Sequence, residues 1–171
     1  MEPELWDIYD ADRNLTGRTH RRGTPMQAGD YHLVVHVWVV NSRGEFFIDL
    51  RAPDKDHYPN VWETCGGSAL TGEDSLTAAL REFREECGIA LDPACGQIVL
   101  TERREDGFCN DFCDVWLFRQ DIDPADFVPQ PGETVCAKLA TAEEILQMHD
   151  IGIFKYTQEV FNAAGVARSN P

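Results

Sequence analysis

At 171 residues the chain is long enough to bury a core of its own, and 43% hydrophobic content is ordinary for a globular protein. Thirty acidic against fifteen basic side chains leave a net charge of −15, a poor electrostatic match to duplex nucleic acid. No apolar run is long enough to span a membrane, and Met1–Tyr9 is acidic and mixed rather than basic and then apolar. A cytoplasmic protein folding as a single domain over 1–171 is expected.

Leu5–Tyr9 and Thr16–Arg22 read as short strands around the turn residues Asp10, Asp12 and Asn14, a hairpin extension within residues 1–30. The cluster Arg18, His20, Arg21 and Arg22 either borders a phosphate site or charges the hairpin edge against unwanted sheet pairing. Tyr31–Val40 is a valine-rich strand; Asn41, Ser42, Arg43 and Gly44 turn it back into Glu45–Arg51. A loop with Pro53, Asp54, Asp56 and Pro59 leads to Trp62 and the Gly66–Gly67 turn. A helix follows Asp74, and strands are expected at Gln97–Glu102, Phe112–Arg119 and Thr134–Leu139. Thr141 with Glu144 makes a capping box for a helix through about His149, and Lys155–Ala164 reads as a last helix before a 165–171 tail. Strands interleaved with three helices predict an α/β fold, a helix–sheet–helix sandwich with a mixed β-sheet.

The helix after Asp74 carries the chemistry. Leu76, Ala79, Leu80, Phe83 and Cys87 recur at helical spacing, Asp74 or Ser75 can cap the start, and Gly88 can end it in a left-handed turn. Glu82, Glu85 and Glu86 then share one polar side as i, i+3 and i+4. Like charges so spaced cost a few tenths of a kcal/mol per pair. A divalent cation offsets that cost, because clustered carboxylates are hard ligands suited to Mg²⁺ shared with substrate phosphates. The Gly66–Gly67 turn lets backbone approach the metal or a phosphate closely.

Six cysteines (65, 87, 95, 109, 113 and 136) are scattered through apolar elements without a secreted framework, which predicts reduced thiols. Cys109 and Cys113 lack a second pair at zinc spacing, so a buried thiol is expected at Cys113.

The segment GSALTGEDSLTAALREFREECGI, Gly67–Ile89, fills G-x5-E-x7-R-E-U-x-E-E-x-G-U at every fixed position, with U a bulky apolar residue. It resembles the Nudix box, and the 67–89 motif is the residue-specific part of a likeness covering most of residues 4–165. The resemblance implies the Nudix sandwich and a metal-dependent hydrolase that cleaves a diphosphate linkage in a nucleoside-diphosphate-type small molecule. It assigns Mg²⁺ or Mn²⁺ to the Gly66 carbonyl, Glu82, Glu85 and Glu86, with Glu85 or Glu86 as proton acceptor. Arg81 orients the glutamates, and Glu73 pairs with Arg81 or a metal-bound water. Relatives also suggest a homodimer through the N-terminal hairpins.

The N-terminal half is similar to the branch containing type I isopentenyl-diphosphate isomerase, so proton transfer by a cysteine and an acid is the alternative activity. A non-catalytic nucleotide-binding module is a third. The isomerase pattern has C-G-H before the box; in register, Gly66 stands at the cysteine and Ser68 at the histidine, with Cys65 one residue early. His32 stands where a second isomerase histidine would lie. An additional acid is expected outside the helix, since three glutamates cannot complete the shells of several cations. Asp111 ranks first by its place relative to the isomerase acids, then Glu133, then Asp114; Asp111 and Asp114, three apart, must face opposite sides of a strand. Arg51, Arg103 and Glu133 are expected at the substrate, with Lys55, Arg104 and Lys138 as further phosphate contacts. Trp62, Phe108 or Trp116 would stack on a base. Residues marking ADP-ribose and dinucleoside-polyphosphate subclasses are missing: Pro93 is the sole proline between Gly88 and Asp123, and no tyrosine lies between Tyr58 and Tyr156.

Overall fold

β-Branched and aromatic residues alternating in side-chain direction make β3 (His32–Val40) the spine of the sheet. The computed structural model describes residues 4–105, 110–154, 156 and 158–166. An N-terminal hairpin of β1 (Leu5–Tyr9) and β2 (Leu15–Arg21) forms a two-stranded antiparallel sheet of its own. The main sheet contains β3, β4 (Phe46–Arg51), β5 (Trp62–Glu63), β6 (Gly66–Ser68), β7 (Gly96–Arg104), β8 (Asp111–Arg119) and β9 (Thr134–Ala140). Its main path runs β5-β4-β3-β8-β7, with β6 beside β3 and β9 beside β4. The β3–β8 pair is parallel and the others antiparallel, so the sheet is mixed as expected.

One edge of β3 is shared. Val39 and Val40 pair with β4, whereas Val34, Val35 and His36 pair with β6. The two partners therefore diverge; β5 pairs Asp49 and Leu50 of β4 where β3 has left it, while β9 pairs the other edge of β4 along its length. That parting brings the Gly66–Ser68 backbone to the mouth of a cleft.

Helix α1 (Ser75–Cys87) covers one face, where Leu33, Val35, Val37 and Val39 meet Ala78, Ala79, Phe83 and Cys87. Helices α2 (Ala142–Asp150) and α3 (Gln158–Ala164) cover the other, where Trp38, Val40, Val115 and Leu117 meet Ile145 and Phe161. Each fully buried valine, leucine, isoleucine or phenylalanine among them contributes about 1.5–3 kcal/mol, so the two cores hold three layers together. The capping box of Thr141 and Glu144 forms as predicted. The last helix is described from Gln158, with Tyr156 outside it; Lys155, the expected start, lies outside the described residues, as do Phe108 and Cys109.

The hairpin is fastened to this sandwich at several points. Tyr9 and Tyr31 exchange backbone hydrogen bonds of 2.8 and 2.9 Å, and Thr71 N–H donates to the Leu5 carbonyl at 2.8 Å. Trp6 stacks on His32 with ring centroids 4.1 Å apart, and Arg18 forks onto Asp30. Arg13 reaches the fully buried Asp114 at 2.8 and 2.5 Å. Asp114 also accepts from Thr101 at 2.6 Å, and Arg13 with the Ser75 and Thr101 hydroxyls holds its carboxyl below the usual range despite burial. The cation that a buried acid at Asp114 requires is thus a guanidinium from the hairpin turn.

Removing Arg13 leaves that charge unpaired. With Arg13 about a third exposed, Arg13→Ala is expected to cost about 2–3 kcal/mol in urea unfolding at neutral pH. The lowered Asp114 pKa makes the contribution present above the unfolded carboxylate value and lost as pH falls through the folded one, so wild type and variant should converge in acid. Equal stability at pH 7 would show that the pair does not anchor the hairpin.

Candidate active site

Helix α1 is set by its ends. Asp74 caps it, accepting from Thr77 N–H at 2.8 Å, and Gly88 ends it at φ +73°. A Cβ at Gly88 would also stand 2.7 Å from Val128 Cβ. Ser75, the other candidate cap, instead accepts from Trp116 Nε1 at 2.9 Å. The loop before β9 wraps the helix C-terminus: Val128 N–H donates to the Cys87 carbonyl at 2.9 Å and Gln130 N–H to Glu86 at 3.2 Å. This wrapping satisfies orphan carbonyls and carries Glu133 toward the helix's polar side.

Arg81 organises the acids. Its guanidinium donates to Glu73 at 2.7 and 2.9 Å, to the Ser68 carbonyl at 3.0 Å and to Glu85 at 3.0 Å, and stands 3.0 Å from Glu82. Glu73 also accepts from Leu70 N–H at 2.8 Å, so one acid ties the turn before the helix to Arg81. Glu82 lies against Gly67, where a Cβ would come within 2.3–2.7 Å of its carboxylate. At Gly66 a Cβ would meet the Val35 carbonyl at 2.6 Å. At Gly66 the obstacle is fixed backbone, whereas at Gly67 a side chain would displace the Glu82 carboxylate from its place; neither glycine has a positive φ.

A cleft of about 230 Å³ gathers Glu82, Glu85, Glu86 and Glu133 with the Gly66–Ser68 backbone. Arg51, Lys55 and Arg81 line it too, as do Glu4 and Arg22 from the hairpin side. Lys55 is paired with Glu133, Arg51 with Glu63 at 2.5 Å, and Arg22 with Glu4 at 2.6 Å. A larger cavity of about 530 Å³ adjoins the cleft and shares Arg51, Gly66, Gly67 and Ser68 with it. His36, Tyr58, Tyr156, Glu102 and Arg104 are on its wall.

Not every expected residue arrives. Asp111 lines neither cavity. On β8, Phe112, Trp116 and Phe118 face α1, while Cys113, Val115 and Leu117 face the opposite core, and strand alternation puts Asp111 on that opposite side. Its carboxylate accepts from Arg104 Nε at 2.7 Å, so Asp111 does not join the box acids. Asp114 faces α1 but is held by Arg13. Arg103 pairs with Glu105 and lies over the Tyr31 ring at 5.0 Å, away from both cavities. Trp116 is core, and Lys138 covers Trp62 at 4.7 Å. Cys113 is buried, as expected.

Buried and crowded acids dominate the electrostatics of the cleft. Burial, then Glu82, Glu63 and Glu133, pushes the Glu86 carboxyl up to about 8, although a hydrogen bond with Cys65 opposes the rise. Burial also raises Glu82. Behind them Asp49, on β4, is 1% exposed, and neither carboxylate oxygen has a hydrogen-bond partner among the described residues. Burial and then Glu63 and Glu86 raise its pKa well above the carboxylate range. Sequence gave no signal for this role, since Asp49 sits in an unremarkable strand pattern. Among the described residues no three His, Cys, Asp or Glu side chains form a ready-made metal cluster. Glu82 and Glu85 are turned to Arg81, and Glu133 to Lys55. The donors nonetheless fit a hard divalent cation: acid oxygens, a buried Glu86 with an elevated pKa, and backbone opened by two glycines.

An α/β sandwich with this glycine turn and acidic helix defines the class, and comparison with known proteins agrees. The NUDIX domain family model matches residues 30–160, and the chain belongs to the Nudix family. An uncharacterized Nudix hydrolase of Listeria monocytogenes is 38% identical over 152 residues, covering 88% of each chain. An isopentenyl-diphosphate Delta-isomerase of Cutibacterium acnes is 32% identical over 136 residues, covering 74% of this chain and 68% of that one. Among solved structures, DR0079 from Deinococcus radiodurans has a TM-score of 0.74 at 21% identity, covering 96% of this chain and 100% of that one. No helix of the described residues is long and apolar enough to cross a membrane.

The raised Glu86 pKa has a signed consequence. An acid whose folded pKa exceeds its unfolded value favours the folded state below the unfolded pKa and loses that preference as pH rises toward about 8. Metal-free protein should therefore lose stability between about pH 5 and 8, and Glu86→Gln should flatten that slope. Mg²⁺ added at pH 7 should release protons, measured by calorimetry in buffers of different ionisation enthalpy. A slope unchanged in Glu86→Gln, with no proton release, would contradict the assignment.

Proposed function

We propose that this protein is a divalent-metal-dependent hydrolase that cleaves a diphosphate linkage in a nucleoside-diphosphate-type small molecule. The observation that carries the reading is the convergence of Glu82, Glu85, Glu86 and Glu133 with the Gly66–Ser68 backbone on one cleft. The adjoining cavity is within the size range of small-molecule sites. Its rings at His36, Tyr58 and Tyr156, flanked by Val34 and Val160 and by the charges of Glu102 and Arg104, are the surfaces on which a nucleoside would stack.

Glu82, Glu85 and Glu86, with the Gly66 carbonyl, would hold Mg²⁺ or Mn²⁺. Bound there, the cation would neutralise the diphosphate and lower the pKa of a water that becomes the nucleophile. Arg81 keeps Glu82 and Glu85 in place and is positioned as an orienting group rather than a substrate contact. Glu85, Glu86 or Glu133 accepts the proton of the attacking water, and Arg51 and Lys55 bind non-bridging oxygens at the rim.

The isomerase reading draws on the isomerases among the relatives, yet the residues favour hydrolysis. Cys65 is 2% exposed, lines neither cavity and is hydrogen-bonded as a free thiol with Cys87 and Glu86, and burial pushes its thiol well up. A thiol so placed cannot serve as acid or base on a bound carbon skeleton.

Glu85→Gln and Glu86→Gln each keep volume while removing an anionic ligand. Each should lower kcat at least about a hundredfold with Mg²⁺, comparable to losing a key electrostatic stabiliser, without reducing the stability of metal-free protein. Near-normal turnover in both would remove the mechanism. Hydrolysis in heavy-oxygen water should label a phosphate product, and Cys65→Ala should retain most turnover. Solvent deuterium entering a carbon skeleton without phosphate release, abolished in Cys65→Ala, would instead establish isomerisation.

A further inference from the structure

Arg22 stands at the end of the N-terminal hairpin, outside the stretch that the family model matches, yet it lines the carboxylate cleft. Its Nη1 is 2.6 Å from Glu4 Oε2, in a pair whose side chains are 62% and 47% exposed. Such a pair contributes little to stability. The hairpin does not need it, because Arg13–Asp114, Arg18–Asp30, the Tyr9–Tyr31 bridge and the Thr71–Leu5 hydrogen bond already fix its position. Gly72 N–H donates to Asp7 at 2.8 Å as well, so β1 is docked on the turn that enters helix α1. The guanidinium is thus held over the cleft by a rigid support.

Its surroundings say what it faces. Beyond Glu4, the charges that act on Arg22 are Glu133 and Glu82, both from the cleft. Five acids line that cleft (Glu4, Glu82, Glu85, Glu86 and Glu133) against four cations (Arg22, Arg51, Lys55 and Arg81). Each cation is already matched to a side-chain carboxylate. Glu4 is the one acid of the five whose ion pair is made wholly by the hairpin and its flank.

Resting on the diphosphate-hydrolase reading, we propose that the N-terminal hairpin is part of the substrate site: Arg22 binds non-bridging oxygens of the substrate diphosphate, and Glu4 occupies Arg22 until the phosphate displaces it. A guanidinium fork matches phosphate oxygens better than one carboxylate on a half-exposed side chain, so the exchange favours a substrate carrying two adjacent charged phosphates. Glu4 acts as an internal competitor, and removing its charge should help binding where removing the charge of Arg22 hurts it. The opposite signs of the two effects separate recognition from mere support of the hairpin.

The test uses methylenediphosphonate, which cannot be hydrolysed, titrated calorimetrically into full-length protein with saturating Mg²⁺. Arg22→Gln should weaken binding at least about fivefold, Arg22→Lys should recover part of the loss, and Glu4→Gln should tighten binding about twofold or more. Urea midpoints of all three should stay at the wild-type value. With a turned-over substrate, Arg22→Gln should raise KM more than it lowers kcat. Wild-type affinity in Arg22→Gln, or a loss matched by a lower midpoint, overturns the role of Arg22 and leaves the hydrolase reading standing. Unchanged or weaker binding in Glu4→Gln overturns the exchange. Failure of the wild-type protein to bind the probe in Mg²⁺ overturns the hydrolase reading and, with it, this proposal.

Discussion

A single guanidinium makes the acidic face of α1 tolerable. Arg81 bonds Glu73, the Ser68 carbonyl and Glu85 and lies beside Glu82, so one planar cation ties together the turn before the helix, the glycine strand and the helix itself. Five donors in a fixed fork can do this and a lysine ammonium cannot. With no side chain at Gly67, the Glu82 carboxylate lies close against the backbone there. Arginine, glycine and glutamate are thus parts of one packing solution. The box spacing is the distance in sequence that this solution demands.

The rest of the molecule holds that helix in place at three levels. At its start, Asp74 caps the first turn, and the Ser75 hydroxyl receives Trp116, on the strand that carries Asp114. At mid-helix, Ala78, Ala79 and Phe83 bury against β3. At its end, the loop before β9 donates to the Glu86 and Cys87 carbonyls and delivers Glu133. Two guanidinium–carboxylate nodes, Arg81–Glu73 and Arg13–Asp114, bracket the arrangement, one at the cleft and one under the hairpin. Glu86 and Asp49 are buried acids whose pKa values are raised by burial and by one another's neighbours, a state that a divalent cation relieves.

The sequence made local structure legible where one short pattern carried enough information. Helix α1, its glycine stop, the β3–β4 hairpin and the Thr141 capping box all depend on neighbours within a few residues, and they form close to the expected bounds. Alternation also told correctly that Asp111 and Asp114 face opposite ways. It could not tell which side faces α1, because that depends on how the sheet is covered, and the resemblance to isomerases ranked Asp111 first. The partner of Asp114 lies 101 residues away in sequence, and Lys55 and Glu133 are 78 apart; no periodicity encodes such pairs. Glu4 and Gln130 at the cleft, and Asp49 behind it, were likewise invisible, since each is placed by tertiary packing alone.

The cation site proposed at the end of α1 can be tested directly. Crystals grown with Mn²⁺ and methylenediphosphonate should give an anomalous-scattering peak in the cleft between the Gly66 carbonyl, Glu82 and Glu86, with oxygen ligands at about 2.0–2.3 Å. Glu133 should have turned away from Lys55 toward it. Strong Mn²⁺ peaks elsewhere and none in this cleft, with Glu82 still folded on Arg81, would contradict the central claim that this carboxylate face exists to hold a metal against a diphosphate.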